Sequence, residues 1–284
     1  MNPTLQDCLE GRISPQIAIA HFLLIGAVTT DIEQALAAAP PHPRLDELRA
    51  LLVGRADRLD SLAAQIATSA ADHNASGDTP EAGITRIAGF FDRAVSASPE
   101  ASVALYSLGD PAILRQATDE IVAWLEANGL LGEEADVLDL GCGFGRVAAL
   151  LAPRCRSVLG LDVSAGMIAE ARSRFGGLGN VTFERTGGQD LAGLADAAFD
   201  LVLAIDSFPY LVQTGPEVVA RHLDDCSRIL RPGGALVILN LSYKGDAYDA
   251  AVVVAWAERH LLRLTIADPH PFRLWDGSAY VMLR

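Results

Sequence analysis

The stretch VLDLGCGFGRVAALLA, from Val137 to Ala152, constrains the fold of this chain more than any other. An apolar run of strand length meets three alternating glycines, Gly141, Gly143 and Gly145, and then an apolar stretch of helical type. A strand that turns through glycines straight into a helix is the opening unit of a parallel α/β sheet. Gly143 removes a side chain where a ligand would approach the backbone, and Gly145 lets the start of the helix lie close to the strand. Such loops cradle phosphates in some folds, and in others they cradle ligands that carry none.

The same rhythm continues to the end of the chain. Val158–Leu161, Phe199–Ile205 and Ala235–Leu241 are short, nearly continuous apolar runs, as strands buried on both faces require, and Val181–Glu184 is a weaker strand of the same kind. Helical patterns fill the gaps at Arg146–Ala152, Ala165–Phe175 and Pro216–Leu230. This alternation predicts a doubly wound α/β domain, whose ligands bind beyond the carboxyl ends of the strands. Near the C-terminus, Asp276-Gly277 between Phe272–Trp275 and Ala279–Leu283 signals an antiparallel hairpin. Either Leu262–Ile266 or Phe272–Trp275 can supply the strand before it.

Ahead of the sheet the pattern is helical. Ser14 followed by Pro15 is a helix start, opening a helix that ends near Gly26, and Asp31 starts another that stops at Pro40-Pro41. Leu45, Leu48, Leu52, Leu59 and Leu62 fall on one helical face. The turn-rich segment Asp72–Gly83 marks a boundary, giving an N-terminal helical region, 1–80, for capping or dimerisation, and a second domain, 81–284. Two more helices, about Ile84–Val95 and Asp110–Asn128, lead into the sheet.

Composition narrows the partners. The net charge is −14 and Lys244 is the single lysine, which argues against a protein held to nucleic acid by its phosphates. No apolar run approaches the ~20 residues of a membrane span, and the N-terminus lacks a signal-peptide pattern. Cys8, Cys142, Cys155 and Cys226 show no metal-binding spacing and read as reduced thiols of a cytoplasmic protein. A small-molecule partner is expected, with no membrane and no nucleic acid.

The neighbours of the glycine loop choose between ligands. A dinucleotide loop of the GxGxxG type would want glycine where this chain has Arg146. Asp162 ends the next strand, 21 residues after Gly141, where a carboxylate can accept from both hydroxyls of a ribose. Asp139 lies inside the first strand, where an apolar residue is usual, and suits a ligand with a cationic amine. The loop N–H groups are expected to face that ligand's carboxylate. An amino acid joined to a ribose and an adenine meets these demands better than a pyrophosphate does.

VLDLGCGFGR, VLGLDVSAGMIAEAR, FDLVLAIDSFPY and ILRPGGALVILNLS together resemble the class I S-adenosylmethionine-dependent methyltransferases, firmly over Ala135 to Leu241. The resemblance implies a Rossmann-like, seven-stranded, mostly parallel sheet with an antiparallel C-terminal hairpin. It implies S-adenosylmethionine as cofactor, with Asp139, Gly141, Cys142, Gly143 and Gly145 at the methionine moiety and Asp162 on the ribose. Val163 and Met167 would line the adenine pocket, and Gln189 or Asp190, with Asp190 favoured, would approach the adenine amine. Asp206 and Ser207 would face both cofactor and substrate, while Arg231–Gly234 would form a structural turn before the fifth strand.

The implied activity is methyl transfer to an oxygen, nitrogen or sulfur of a small molecule, mainly by alignment. An NAD-type oxidoreductase and a non-catalytic cofactor-binding protein of the same fold are the alternatives. DSFPY lacks the pattern of amino-group methylases of DNA, and no cysteine suits cytosine chemistry. Asp206 admits two roles, general base or cofactor contact. Asp206 with Asn240 resembles part of a metal-dependent site, but Leu241 stands where a third ligand would be, so no metal is expected. His222 reads as a solvated helix residue, and His260 and His270 lack clear partners, His270 being the better site candidate. Tyr106, with Phe91 nearby, would border the sulfonium or else pack in a helix core. The N-terminal helices could also build a homodimer.

Overall fold

In the computed structural model, which describes residues 2–73 and 79–284, the glycine loop joins the first strand of a sheet to a helix. The chain divides into two compact units: Met1–Asn74 with Ala94–Ala117 and Phe272–Asp276, and Ala75–Arg93 with Thr118–Pro271 and Gly277–Arg284. The Asp72–Gly83 boundary falls partly on residues outside those described.

The first unit holds α1 (Pro3–Leu9), α2 (Pro15–Leu24), α3 (Thr29–Ala37), α4 (Pro43–Leu52) and α5 (Ala56–His73), with α7 (Pro99–Val103). Ser14 caps α2, its hydroxyl accepting from the Ile17 N–H at 3.1 Å. The leucines at 45, 48, 52, 59 and 62 are all buried in one core with Leu5, Ile19, Phe22 and Ile32. They lie on two helices rather than one, because Gly54, with φ +69°, turns the chain between α4 and α5.

The second unit is the sheet. It begins with the first turns of α6 (Pro80–Ala97) and the body of α8 (Pro111–Ala127). Among the described residues the strands are β1 (Asp136–Leu140), β2 (Ser157–Asp162), β3 (Val181–Arg185), β4 (Phe199–Ile205), β5 (Leu230–Leu239), β6 (Arg263–Asp268) and β7 (Ala279–Leu283). The intervening helices are α9 (Arg146–Leu151), α10 (Ala165–Phe175), α11 (Phe208–Thr214), α12 (Pro216–Ile229) and α13 (Asp246–Arg259). The strand order is β3-β2-β1-β4-β5-β7-β6. The first five strands are parallel, and β7 runs antiparallel to both its neighbours. From β1 the chain builds outward through β2 to β3, then returns to place β4 on the other side of β1. The order therefore reverses between β1 and β4, the position where sheets of this kind hold ligands.

Four details settle or depart from the sequence expectation. The sixth strand is β6, and Phe272–Trp275 forms no strand. Pro269 and Pro271 precede that segment, and each lacks the N–H a ladder needs. The hairpin is antiparallel as expected, but its connection is the whole of 269–278 rather than a two-residue Asp276-Gly277 turn. Arg231–Gly234 lies within β5 as an irregularity, where the β4 register jumps from Phe199↔Leu230 to Leu201↔Ala235. A short helix, α11, follows β4 directly, with Ser207 and Pro209 supplying its start.

Candidate active site

The register of the parallel strands assembles the site. Asp139 pairs with Gly160 of β2 on one side and Leu203 of β4 on the other, so the turns after β1, β2 and β4 come together. The loop closes on the end of β2: the N–H groups of Gly141 and Cys142 donate to the Leu161 carbonyl at 2.8 and 2.9 Å. The Gly143 N–H donates to Asp162 Oδ2 at 2.9 Å, and the Gly145 N–H to the Cys142 carbonyl at 2.9 Å. These four donors are engaged inside the protein. The expectation that they face a ligand carboxylate is therefore corrected: they shape the loop.

Two glycines are sterically required. A Cβ on Gly141 (φ +75°) would lie 2.3 Å from the Ser207 Cβ, and one on Gly145 (φ +82°) 2.5 Å from the Phe183 ring of β3. Ser207 is held there by its hydroxyl, which donates to the Leu140 carbonyl at 2.6 Å. The turn after β4 thus packs directly on the loop after β1. Cys142 is buried against Gly160, and burial pushes its thiol well above the ordinary range, so it is a loop filler rather than a nucleophile. All four cysteines are free and buried.

Two carboxylates of β1 show opposite fates. Asp136, at the amino end, meets Arg156, Ser157 and Arg231, and this company holds its carboxyl well below the usual range. Arg231 also meets Asp200, so the charges at that end are mutually satisfied. Asp139, at the ligand end, is 2% exposed, and its Oδ2 is buried without a hydrogen-bond partner. Burial raises its carboxyl to about 7, against the opposing charge of Arg146. Arg146 in turn donates to the Thr118 hydroxyl of α8 at 2.7 Å. An orphaned buried carboxylate oxygen is costly, and it fits a site shaped for a cationic group.

Asp162 is buried at the end of β2, its Oδ1 accepting from the Ser164 N–H at 2.8 Å and its Oδ2 from Gly143. Burial raises its carboxyl to about 6, against those hydrogen bonds. With about four lone-pair positions on its two oxygens, the carboxylate keeps acceptor capacity beyond its backbone donors, as a ribose hydroxyl requires. Val163 follows, close enough to Gly188 in the turn after β3 that a Cβ there would meet it at 2.6 Å. Met167 is buried and donates its N–H to the Ser164 hydroxyl. Gln189 is exposed and its amide lies 3.5 Å from Glu81, whereas Asp190 accepts from the Ala192 N–H within its own turn.

Asp206 and Asn240 follow β4 and β5 side by side, both in the left-handed region at φ +52° and +68°. Asn240 Nδ2 donates to Asp206 Oδ1 at 2.7 Å, and the Tyr243 hydroxyl donates to the same oxygen at 3.0 Å. Tyr210 lies beside them, its hydroxyl 3.4 Å from that of Tyr243 and its ring edge-on to Phe91 of α6 at 5.0 Å. Burial and the Asp206 charge push the Tyr210 phenol up, so it stays protonated.

The sequence points to Asp206 but not to Tyr210, which lies on α11 after β4, nor to Tyr243, which lies in the turn after β5. Nor does it point to Asp92 of α6, whose Oδ1 accepts from the Ser164 hydroxyl at 2.6 Å and the Gly166 N–H at 2.8 Å, capping α10 from outside.

The remaining candidates have other surroundings. Tyr106 is buried in the first unit, stacked on Trp275 with centroids 6.2 Å apart. His270 is exposed, with its ring 3.8 Å from Asp246 and its N–H on Asp268. His222 is buried rather than solvated, its Nδ1 2.8 Å from the Val218 carbonyl one turn earlier, because α12 turns that side inward. His260, expected to lack a partner, is buried with Nδ1 2.6 Å from Asp224.

Comparison with known proteins agrees with this geometry. Residues 138–238 match the model of a family described as a methyltransferase domain. The chain is 30% identical to the ubiquinone biosynthesis O-methyltransferase of Pseudomonas aeruginosa over 54% of its own length and 62% of the relative's. It is 30% identical to the putative methyltransferase YqeM of Bacillus subtilis, covering 57% of this chain and 68% of that one. The chain thus spans somewhat less than two thirds of the first of these relatives. Among solved structures, the magnesium protoporphyrin IX methyltransferase of Synechocystis with bound S-adenosylmethionine shares the fold, with a TM-score of 0.53, 21% identity, and coverage of 74% of this chain and 99% of that one. No helix among the described residues is long and apolar enough to cross a membrane. With the glycine loop, the strand order and the sequence similarity in agreement, this chain belongs to the class I S-adenosylmethionine-dependent methyltransferases.

Proposed function

We propose that the protein transfers a methyl group from S-adenosylmethionine to a nucleophilic oxygen, nitrogen or sulfur of a small molecule. The observation that carries this reading is Asp139, a buried carboxylate with an orphaned oxygen two residues before a loop in which Gly141 and Gly145 cannot bear side chains. A cationic amino group is the partner such an oxygen lacks. Asp162 holds the ribose, Val163 and Met167 border the adenine, and Ser207 keeps the turn after β4 against the loop. When bound, the cofactor supplies a methyl group on a positively charged sulfur with a neutral leaving group. The protein's own work is then to align the acceptor, exclude water and take up a proton where the acceptor carries one. Relatives named as O-methyltransferases favour oxygen among the three acceptor atoms.

Thermal unfolding with S-adenosylmethionine, its demethylated product or NAD tests the reading, because a ligand stabilises only the state that binds it. Stabilisation by the first two is expected, and stabilisation by NAD alone would sink it. A mass-spectrometric screen for methylated products across phenols, thiols, amines and carboxylates then separates an enzyme from a non-catalytic binder. Light scattering decides whether the N-terminal helices also build a homodimer.

A further inference from the structure

We propose that Tyr210, Tyr243 and Asp206 form a relay that takes the hydroxyl proton from a phenolic acceptor, with Asn240 holding the terminal carboxylate in place. The proposal rests on the methyl-transfer reading above and narrows it to one acceptor class.

The β4–β5 register pairs Ile205 with Leu239, so the next residues, Asp206 and Asn240, emerge together at the ligand end of the sheet. Both leave their strands with left-handed backbones, uncommon for residues other than glycine, and tie to one another at 2.7 Å. Such local strain clusters at functional sites and persists only where surrounding structure enforces it. Here the Asp206 N–H donates to the Leu239 carbonyl at 2.8 Å and the Asn240 N–H to the Ser278 carbonyl at 2.7 Å. The backbones of both residues are therefore fixed, and the Asn240 amide and Tyr243 hydroxyl orient the carboxylate.

From that carboxylate the hydroxyls follow one another, Tyr243 first and Tyr210 second. Tyr243 donates to Asp206 Oδ1 at 3.0 Å, and the Tyr210 hydroxyl stands 3.4 Å beyond. The second distance is long for a hydrogen bond, and hydrogen bonds of this kind tighten when a substrate closes the site. Tyr210 is the more covered of the two phenols, whereas Tyr243 is 50% exposed. A proton can thus enter at Tyr210 and return to water from the Tyr243 side.

In the transfer, the acceptor oxygen forms its bond to the methyl carbon as the carbon–sulfur bond breaks, its electron pair remaining on sulfur. The acceptor proton passes to the Tyr210 oxygen, the Tyr210 proton to Tyr243, and the Tyr243 proton to Asp206, so each tyrosine ends neutral. Carboxylate acceptors are ionised at neutral pH and have no proton to give, and thiols partly so. A phenol, with a pKa of about 10, retains its proton and benefits from a base. The edge-to-face rings of Phe91, Tyr210 and Tyr243, with centroids 5.0 and 5.9 Å apart, offer an aromatic wall to the acceptor's own ring.

The test compares para-cresol, which stays protonated at neutral pH, with para-nitrophenol, which is largely ionised slightly above it. Turnover of both is followed in the wild type, Tyr243→Phe, Tyr210→Phe and Asp206→Asn, while calorimetry reads S-adenosylmethionine binding, and para-cresol binding in the presence of the demethylated product. Tyr243→Phe is expected to lower turnover of para-cresol about a hundredfold and of para-nitrophenol only a fewfold. It should weaken para-cresol binding while leaving cofactor affinity unchanged, and the acid limb of the para-cresol pH profile should disappear in Asp206→Asn. Equal losses on both phenols, or an unaltered pH profile, would overturn the relay. If the wild type binds the cofactor and methylates thiophenol or aniline but neither phenol, the acceptor class is wrong while the methyltransferase reading stands. Failure to bind the cofactor at all removes both.

Discussion

Replacing Asp139 with asparagine separates what this residue costs the fold from what it offers a ligand. Burial raises its carboxyl from 3.8 to about 7, against the pull of Arg146 and with the Asp162 charge adding to the rise. Between those two values the native protein holds a proton that the unfolded chain has released. Stability therefore falls as pH rises through this window, and the loss is complete above about 7. The gap corresponds to about 4 kcal/mol, a ceiling that structural relaxation lowers. Asparagine keeps the shape without the charge. Asp139→Asn is thus expected to be more stable than the wild type by about 2–4 kcal/mol at roughly pH 8, and to match it near pH 4. Cofactor reverses the order. A cation opposite Asp139 restores its ionised form, and the variant forfeits a charged hydrogen bond of about 1.5–3 kcal/mol, roughly ten- to a hundredfold in Kd. Urea unfolding across pH, with and without S-adenosylmethionine, reads both effects. An Asp139→Asn protein that is less stable at alkaline pH, or that binds the cofactor as tightly as the wild type, would refute the reasoning.

Asp162→Ala is expected to weaken cofactor binding by about 1–3 kcal/mol in calorimetry, and also to destabilise the protein without ligand, because Gly143 and Ser164 both donate to that carboxylate. Gly145→Ala places a methyl group against the Phe183 ring at a left-handed backbone position. A loss of about 1–3 kcal/mol in denaturant unfolding is expected, partly relieved by Phe183→Leu in the same chain. Asp92→Ala removes the outside cap of α10 and should cost about 1–2 kcal/mol, with faster hydrogen exchange at the Gly166 amide as the local signature. An unchanged exchange rate there would show that Ser164 alone suffices to cap the helix.

What the sequence made legible, and what it did not, divides along a physical line. The glycine loop, Asp139 and Asp162 are readable because each is fixed by its place relative to a strand end, and strand ends are marked locally by apolar runs and turn formers. The roles of the loop N–H groups are not local. They depend on the Leu161 carbonyl and the Asp162 carboxylate, which reach the loop only through the pairing of β1 with β2. Tyr243 follows the same logic, since the register between β4 and β5 brings it to Asp206 across more than thirty residues of chain, whereas Asn240 is already paired with Asp206 by its place after the fifth strand. His222 is a different case. Its neighbours one helical turn away, Val218 and Cys226, are buried with it, so the period that marks the inner face of α12 was present in the sequence. A polar residue type outweighed the pattern there, and the i−4 carbonyl bond supplies what lets a histidine occupy that face.

The contrast between Asp136 and Asp139 gives the site its strongest argument. They are three residues apart on one strand, and the difference between them lies in their partners. At the amino end, two arginines and a serine take up the charge of Asp136, so ionisation favours the folded state. At the carboxyl end, burial outweighs the charge of Arg146 at Asp139 and leaves one of its oxygens with no donor, so ionisation opposes the folded state. Selection for stability alone would place an apolar or neutral residue there, and the fold bears the cost instead. A carboxylate kept at a loss in a buried position just before the glycine loop is poised to gain when a cation arrives, and that gain is the binding energy the site has to offer.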